Sequence, residues 1–200
     1  MQKLLLILLL LGVLIYFVSR KLQAVGKSLA VQKQAKQGYI LVDAGSQVVN
    51  KVIKNTLFSA GIGVVLLVIT LVLAMKVKIL LIMLPISLYL IGQLFLLNNQ
   101  LKYTKDQQVW FNPANNDVLV EWLSGQKVQF NLLRDIQQIR TVKAVQKNNQ
   151  VQFGYYEIIV HNNQLFLPLI IEENQVNNRF FKTLKDNYSI KEKTTLFPVI

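Results

Sequence analysis

The sequence predicts an α+β membrane protein: an N-terminal signal-anchor helix, a transmembrane helical hairpin, and a C-terminal curved antiparallel sheet of about six or seven strands capped by one helix. Three observations lead to this fold class. Long apolar runs without charge occupy much of the first half of the chain. Short alternating runs separated by turn residues follow residue 98. The last of these runs gives way to a helical period, so the second half contains both sheet and helix.

The composition of the chain agrees with a membrane protein and limits its chemistry. Hydrophobic residues make up 52% of the 200 residues, and the mean hydropathy is +0.37. Both values are high for a soluble domain of this size. Cysteine is absent, so disulfides and thiolate metal sites are excluded.

The first apolar run, from Leu4 to Val18, predicts a transmembrane helix over residues 1–18. A cleaved signal peptide is the alternative. However, no small-x-small cleavage site follows the run at once, and Arg20 and Lys21 stand where a secreted chain would have to be translocated. We therefore expect an uncleaved signal anchor.

Residues 19–56 form a basic loop that contains amphipathic segments. Eight Lys and Arg residues occur between Met1 and Thr56, against one acidic residue, Asp43. Because such residues accumulate in cytoplasmic loops and attract anionic headgroups, we expect this loop in the cytoplasm beside anionic lipid. The predicted lipid-contact residues are Arg20, Lys21, Lys27, Lys33, Lys36, Lys51 and Lys54.

Two segments of the basic loop have helical periodicity. Leu22, Val25 and Leu29 share one helical face, and apolar residues cluster again at residues 48–53. Helices of this kind either lie in the headgroup region with the apolar face down or pack on the C-terminal domain. The sequence leaves both arrangements open.

Residues 57–97 predict two membrane-spanning helices joined by a tight turn. Residues 57–75 and 79–97 carry no charge, and Lys76-Val77-Lys78 separates them. At 1.5 Å per residue, a run of about 19 residues is roughly 28 Å long, close to the hydrocarbon thickness of a bilayer. A buried hairpin in a soluble protein is the alternative, but soluble helices of this length usually have a polar face.

Four small residues are predicted to pack the two spans together: Ser59, Gly61, Gly63 and Gly92. Gly61 and Gly92 lie at nearly the same distance from the turn, a depth at which two backbones can approach, while Ser59 and Gly63 have small-xxx-small spacing. The spans contain no Asp, Glu, Arg or His, although ion and proton pathways usually carry such groups. Channel or transporter activity by this chain alone is therefore not expected.

The distribution of charge predicts the orientation in the membrane. The basic loop outweighs the two lysines of the hairpin turn, Lys76 and Lys78. With three spans, the N-terminus and the turn lie outside, and residues 98–200 lie in the cytoplasm. We expect a multi-pass protein of a bacterial inner membrane.

Residues 98–200 predict strands followed by a helix. Six alternating or extended runs are separated by turns such as Asn112 to Asp117 and Ser124-Gly125, as in an antiparallel meander. Val176, Phe180 and Leu184 then recur every four residues. Residues 174–187 therefore predict an amphipathic helix that covers one face or end of the sheet.

This order of elements resembles the pleckstrin-homology-like domains of bacterial membrane proteins. The resemblance rests on the opening hairpin from Val109 to Trp122, the segment from Asp135 to Ile139, and Leu165 to Pro168 followed by the Phe180-Phe181-x-x-Leu184 helix. It implies a binding module held at the membrane face for protein or lipid contact. It does not imply phosphoinositide recognition, because the loop from Asn112 to Asp117 has no basic residue.

No motif predicts catalysis, a metal site or a cofactor. His161 is the only histidine, and the consecutive carboxylates Glu172 and Glu173 are explained by the helix start that follows them. Nucleic acid is not an expected partner, because the basic excess lies beside the apolar runs. The sequence predicts a non-enzymatic scaffold or adaptor that contacts membrane lipids and a membrane-protein partner. The alternative is an accessory or regulatory subunit of a membrane transport or envelope-maintenance complex, bound through its transmembrane helices.

Overall fold

The computed structural model describes residues 12–13, 16–17, 19–20, 22, 36–74, 76–148, 151–161 and 163–200. Most of the predicted first span, residues 1–18, lies outside these ranges. So do Lys21, Lys27 and Lys33 of the predicted lipid-contact set, as well as Val25 and Leu29 of the first amphipathic segment.

The described chain contains strands on both sides of a long helical hairpin. The strands are β1 (Ile40–Val42), β2 (Gln107–Asn112), β3 (Asp117–Trp122), β4 (Lys127–Asn131), β5 (Ile136–Ala144), β6 (Gly154–Val160), β7 (Asn163–Pro168) and β8 (Lys191–Thr195). The helices are α1 (Gly45–Ala74), α2 (Leu84–Asp106) and α3 (Asn178–Asn187), with 3-10 segments at Lys78–Met83, Leu169–Ile171 and Gln175–Asn177. The predicted α+β class is confirmed.

The strands form two four-stranded sheets, in the orders β1-β2-β3-β4 and β7-β6-β5-β8. Neighbouring strands are antiparallel except β5 and β8, which are parallel. The expected purely antiparallel sheet is therefore corrected at this last strand. Parallel neighbours need a crossover connection, and α3 supplies it between β7 and β8.

Strand β1 precedes the hairpin in sequence but belongs to the same sheet as β2. Ile40 pairs with Phe111, and Val42 pairs with Val109. The chain thus leaves the sheet after β1, forms the hairpin, and returns at β2, so residues 98–200 do not hold the whole domain. Strand β1 has three residues and one buried side chain, Val42, and is too short for an alternating pattern to be detected. Its residues therefore fall within the predicted basic loop.

Both hairpin helices extend beyond the predicted spans. Helix α1 begins at Gly45 instead of Leu57, and α2 ends at Asp106 instead of Leu97. The extra turns carry polar side chains, which end an apolar run but do not end a helix. Pro85 lies in the first turn of α2, after the 3-10 segment, where its missing N–H costs no helical hydrogen bond.

The extra turns of α1 and α2 belong to the core of the domain. The apolar face of residues 48–53 packs on the domain. Of the two arrangements that the sequence left open for this segment, packing on the domain is the one observed. The buried cluster joins both helices to the two sheets and to α3, and it includes Val49, Val52, Ile53, Leu97, Leu101, Val109, Phe111, Ile158 and Phe180. Full burial of each such side chain contributes roughly 1.5–3 kcal/mol.

Helix α3 packs between the two sheets through a pair of aromatic rings. The ring of Phe180 lies 5.4 Å from that of Phe111 on β2. The ring of Phe181 lies 5.6 Å from that of Tyr156 on β6. These edge-to-face and tilted contacts connect the first sheet to the second. The helical period predicted the helix itself, but the prediction placed it over one face or end of a single sheet, whereas it contacts both sheets.

Candidate functional site

The far end of the hairpin exposes large apolar side chains. Both helical segments, Gly45–Ala74 and Lys78–Asp106, are long and apolar enough to cross a membrane, and only 17% and 22% of their most apolar windows are buried. A core hairpin of a soluble protein would be mostly buried. The exposed residues include Phe58, Ile62, Val65, Ile69, Val72, Ile79, Ile82, Ile86, Leu88 and Phe95. Length, composition and exposure together suggest membrane association.

Exposed lysines mark the domain side of this apolar surface. On α1, Lys54 precedes Phe58 by one helical turn, and both side chains are exposed. On α2, Phe95 precedes Lys102 by two turns, and both are again exposed. From Phe58 to Ala74 the helix rises about 26 Å, which is close to the hydrocarbon thickness of a bilayer.

Three of the predicted lipid-contact residues are exposed in the described structure. Lys51 and Lys54 lie on α1 just before the apolar surface begins, and Arg20 is also exposed. Basic side chains at this position can reach headgroup phosphates while their methylene stems stay against apolar atoms.

Lys36, the fourth described member of that set, is engaged inside the domain. Its ammonium forms an ion pair with the Glu121 carboxylate on β3 and lies 5.3 Å from the centre of the Trp110 ring. Lys127 approaches the same carboxylate at 2.8 Å. Hydrogen bonds from Lys127 and Lys36 hold the pKa of the Glu121 carboxyl below its usual range. The structure therefore assigns Lys36 to a structural ion pair.

The predicted small residues occupy three different environments. A Cβ atom at Gly63 would lie 2.7 Å from the Leu90 Cβ and 3.0 Å from the Ser87 carbonyl oxygen, so Gly63 lies at the contact between α1 and α2. A Cβ at Gly61 would meet no atom of the described structure within 4 Å. A Cβ at Gly92 would lie 2.8 Å from a ring carbon of Phe197.

The predicted pairing of Gly61 with Gly92 is thus not what the structure shows. Equal distance from the turn gives equal depth, but it does not fix the rotation of each helix about its axis. Gly61 and Gly63 are two residues apart, which places them roughly 200° apart around α1, and only one of them can face α2.

The C-terminal tail, residues 196–200, lies along α2. The Asn99 side chain donates to the carbonyl oxygen of Ile200 at 3.1 Å and accepts from its N–H at 2.9 Å. Gln100 Nε2 donates to the carbonyl oxygen of Pro198 at 3.3 Å. Phe197 packs on Gly92, and its ring lies 5.5 Å from that of Tyr89. The tail therefore extends the apolar surface of the hairpin onto the domain.

Side-chain hydrogen bonds join α1 to the connection between β5 and β6. Ser59 Oγ donates to Asn148 Oδ1 at 2.7 Å, and Asn148 Nδ2 donates to Thr56 Oγ1 at 3.2 Å. Ser59 therefore bonds the domain, whereas the sequence had predicted a helix-packing role. Asn148 and Thr56 are buried, so these bonds form away from bulk water.

A polar cleft of about 490 Å³ lies on the second sheet beside α3. Its charged walls are mostly paired: Lys143 with Glu192, and Lys185 with Glu172. Tyr156 donates to Glu172 Oε2 at 2.6 Å, and burial and this bond raise the pKa of the Tyr156 hydroxyl. The hydroxyl therefore stays protonated and donates to Glu172. Across the described ranges, no group of three or more His, Cys, Asp or Glu residues could hold a metal ion.

Hydrogen bonds connect the loop between β2 and β3 to β4 and α3. Asn131 Nδ2 donates to Asp117 Oδ1 at 2.9 Å, and Arg179 of α3 donates to the carbonyl oxygen of Pro113 at 2.8 Å. Asn115 Nδ2 donates to Asp117 Oδ2 at 2.7 Å. Residues 112–117 contain one acidic residue and no Lys or Arg, and the basic side chain bonded to them, Arg179, is engaged by the Pro113 carbonyl oxygen.

Sequence reasoning missed Asn148 and the C-terminal tail as parts of this region. The charged strand β8 is followed by five residues with uncharged side chains, Leu196 to Ile200. This shift from charged to apolar residues could have predicted that the tail packs on an apolar surface. Asn148 carried no such signal, because an Asn in an Asn-rich turn is usually exposed.

Comparison with known families supports the architecture. The chain matches the model of a family described as PH domain over residues 39–178. This match begins just before β1, includes the whole hairpin, and ends at the first residue of α3. Comparison with curated proteins and with solved structures gave no match. The predicted resemblance to PH-like domains is confirmed, and the chain belongs to the PH domain family.

Proposed function

We propose that this protein is a non-enzymatic scaffold or adaptor of a bacterial inner membrane, which presents its PH domain at the cytoplasmic face for protein or anionic-lipid contact. One observation carries this proposal. Helices α1 and α2 each continue without interruption from the exposed apolar surface into the buried core of the domain. A continuous helix has no flexible linker, so the domain has a fixed orientation relative to the apolar surface.

The charges beside the apolar surface support the cytoplasmic placement. Arg20, Lys51, Lys54 and Lys102 are exposed, and the last three lie on the domain side of the hairpin. Each basic residue near an anionic surface contributes about 1 kcal/mol of attraction. A reporter fused after Ile200 tests this orientation, since a periplasmic signal would contradict it.

The polar cleft on the second sheet is the best candidate for protein contact. PH domains are typically interaction modules, and this cleft combines paired charges with the exposed carboxylate of Glu173. Charges at the rim of an interface mainly set specificity and association rate. The partner expected here presents a polar, charged surface.

Charge reversal on this cleft tests the adaptor role. Glu173→Arg is expected to reduce the amount of partner that co-purifies with the membrane-embedded chain by about fivefold or more. Asp186→Arg is the matched control, because Asp186 is an exposed carboxylate on α3 that does not line the cleft. Equal partner recovery with both variants would contradict a role for the cleft.

An accessory subunit that binds through its spans is the second candidate, and the environment of Gly61 favours it. No atom of the described structure lies near the position of a Cβ at Gly61, so a partner helix can approach the α1 backbone there. Gly61→Leu is then expected to abolish partner recovery, while Glu173→Arg leaves it intact. The opposite pattern supports the adaptor.

A further inference from the structure

A small polar cavity lies where the hairpin meets the domain. Its volume is about 110 Å³, and it is lined by Ser59, Tyr89, Leu90, Gln93, Gln146, Lys147 and Asn148. Gln93 is only 3% exposed. Within the described structure, neither its amide nitrogen nor its amide oxygen has a hydrogen-bond partner, and the Tyr89 hydroxyl has none either. A buried donor or acceptor without a partner is destabilising, so the cavity is suited to a polar guest.

An apolar groove of about 540 Å³ adjoins this cavity. Tyr89 and Gln146 line both spaces, so the two share a wall. The rest of the groove is formed by the start of α2, the residue that follows β5 and the C-terminal tail, through Pro85, Ile86, Leu88, Val145, Leu196 and Phe197. Most of these side chains are about half exposed, so the groove opens onto the apolar surface of the hairpin.

We propose that the cavity and the groove together bind one anionic phospholipid, with an acyl chain in the groove and the headgroup phosphate in the cavity. This inference rests on the proposed membrane location of the hairpin. Water alone can fill a polar cavity of this size. It does not account for an apolar groove that shares two wall residues with that cavity.

Three groups are placed to recognise the phosphate. Lys147 lines the cavity, is exposed, and has no ion-pair partner among the described residues. Gln93 Nε2 and Tyr89 Oη are donors without acceptors. The neighbouring Asn148 bonds to Ser59, one residue beyond Phe58, where the apolar surface begins. This depth corresponds to the headgroup level of the domain-side leaflet.

Lipid retention by the purified full chain tests the headgroup contacts. Native mass spectrometry in detergent compares phosphatidylglycerol with phosphatidylcholine of the same acyl chains. We expect one phosphatidylglycerol per chain, held about tenfold more strongly than phosphatidylcholine. Both lipids carry a phosphate, but the choline cation of phosphatidylcholine would lie beside the Lys147 ammonium, whereas the glycerol headgroup has no positive charge. Lys147→Gln is expected to remove this preference. Lys182→Gln, at an exposed lysine of α3 outside the cavity, is expected to keep it.

The groove and the buried amide are tested by a second set of variants. Leu88→Trp fills the groove and is expected to abolish retention of both lipids, whereas Ile82→Trp, on the exposed surface outside the groove, retains them. Gln93→Leu is expected to lower phosphatidylglycerol retention about tenfold while raising the melting temperature of the lipid-free chain. A structural role for Gln93 alone would not produce both changes.

Several results would overturn the lipid site. Equal retention by Leu88→Trp and Ile82→Trp would remove the groove from the proposal, and displacement of the lipid by inorganic phosphate alone would assign the cavity to free phosphate. Unchanged retention by Gln93→Leu would indicate that water occupies the cavity. Membrane fractionation separates this inference from the proposed function: a chain in the soluble fraction contradicts both, whereas a membrane-bound chain without lipid preference contradicts only the lipid site.

Discussion

The two ends of the helical hairpin are similar in backbone and opposite in surroundings. At the proximal end, which comprises residues 45–57 and 96–106, Val52, Leu97 and Leu101 are at most 1% exposed. At the distal end, which comprises residues 58–74 and 78–95, Ile82 and Phe95 are each 70% exposed. One pair of helices therefore belongs to a protein core at one end and is suited to lipid at the other.

This difference divides the energetics of the hairpin between two processes. Apolar burial at the proximal end stabilises the fold of the domain, because those side chains leave water only when the sheets pack on them. Apolar surface at the distal end contributes little to the packing of the domain, and in the proposed membrane location it would contribute to membrane partition. Substitutions at the two ends should therefore be detected by different measurements.

The largest expected effect is at the proximal end. Leu97→Ala removes a fully buried side chain and is expected to lower the free energy of unfolding by about 2–5 kcal/mol. Phe95→Ala, two residues earlier but mostly exposed, is expected to change it by less than about 0.5 kcal/mol. Denaturant unfolding in detergent, followed by the fluorescence of Trp110 and Trp122, measures both. Equal losses of unfolding free energy in the two variants would contradict the division of the hairpin into a buried proximal end and an exposed distal end.

The next effect is at the distal end and concerns insertion. Val65→Lys places a charge on the exposed apolar face of α1 and is expected to cost about 2.5–3.5 kcal/mol of membrane insertion. The same change should leave unfolding of the domain in detergent nearly unaltered. The fraction of chain in washed membranes measures insertion, and Val176→Lys, the same change at an exposed valine outside the hairpin, is the control. A Val65→Lys chain that inserts normally would indicate that this face does not meet lipid.

Gly61 and Gly63 allow the two faces of α1 to be compared by the same substitution. Gly63→Ala is expected to destabilise the hairpin by about 1–3 kcal/mol, because the new Cβ meets Leu90 and the Ser87 carbonyl oxygen. Gly61→Ala has open space and is expected to stabilise α1 by up to about 1 kcal/mol through helix propensity. Thermal unfolding in detergent should therefore give shifts of opposite sign. Shifts of the melting temperature with the same sign would mean that α1 does not contact α2 through the face that contains Gly63.

The apolar pattern was sufficient to predict the hairpin and most of the strands, but not how they join. The spans, the central strands and α3 have strong periods of their own. Strand β1 is too short to show a period, and β8 is rich in charge because it lies at a sheet edge. Both depend on pairing with strands distant in sequence. Such pairing is a tertiary effect that local patterns do not contain.

The candidate site was harder to predict for a similar reason. Counting residues from the turn gave the depth of Gly61 and Gly92 but not the face of each helix, and a 3-10 segment changes the register of α2. The composition of the basic loop indicated lipid contact for Lys36, whereas Glu121 and Trp110 from a distant strand pair engage it. The burial of Gln93 without a hydrogen-bond partner could not be predicted, because it results from the packing of the domain against the hairpin.

The smallest expected effect concerns this ion pair at the proximal end. Because the pKa of Glu121 is lowered in the folded chain, its contribution to stability is present above the ordinary value of 4.5 and is lost as the pH falls through the lowered pKa. Glu121→Gln should therefore destabilise the domain at neutral pH by less than about 1 kcal/mol and flatten its acid dependence. Asp186→Asn, at an exposed carboxylate of α3, should retain that dependence. Unfolding measured from neutral to acid pH distinguishes the two. If Glu121→Gln kept the full acid dependence, Lys36 would not be engaged by Glu121 in solution, and it would return to the set of lysines available to lipid.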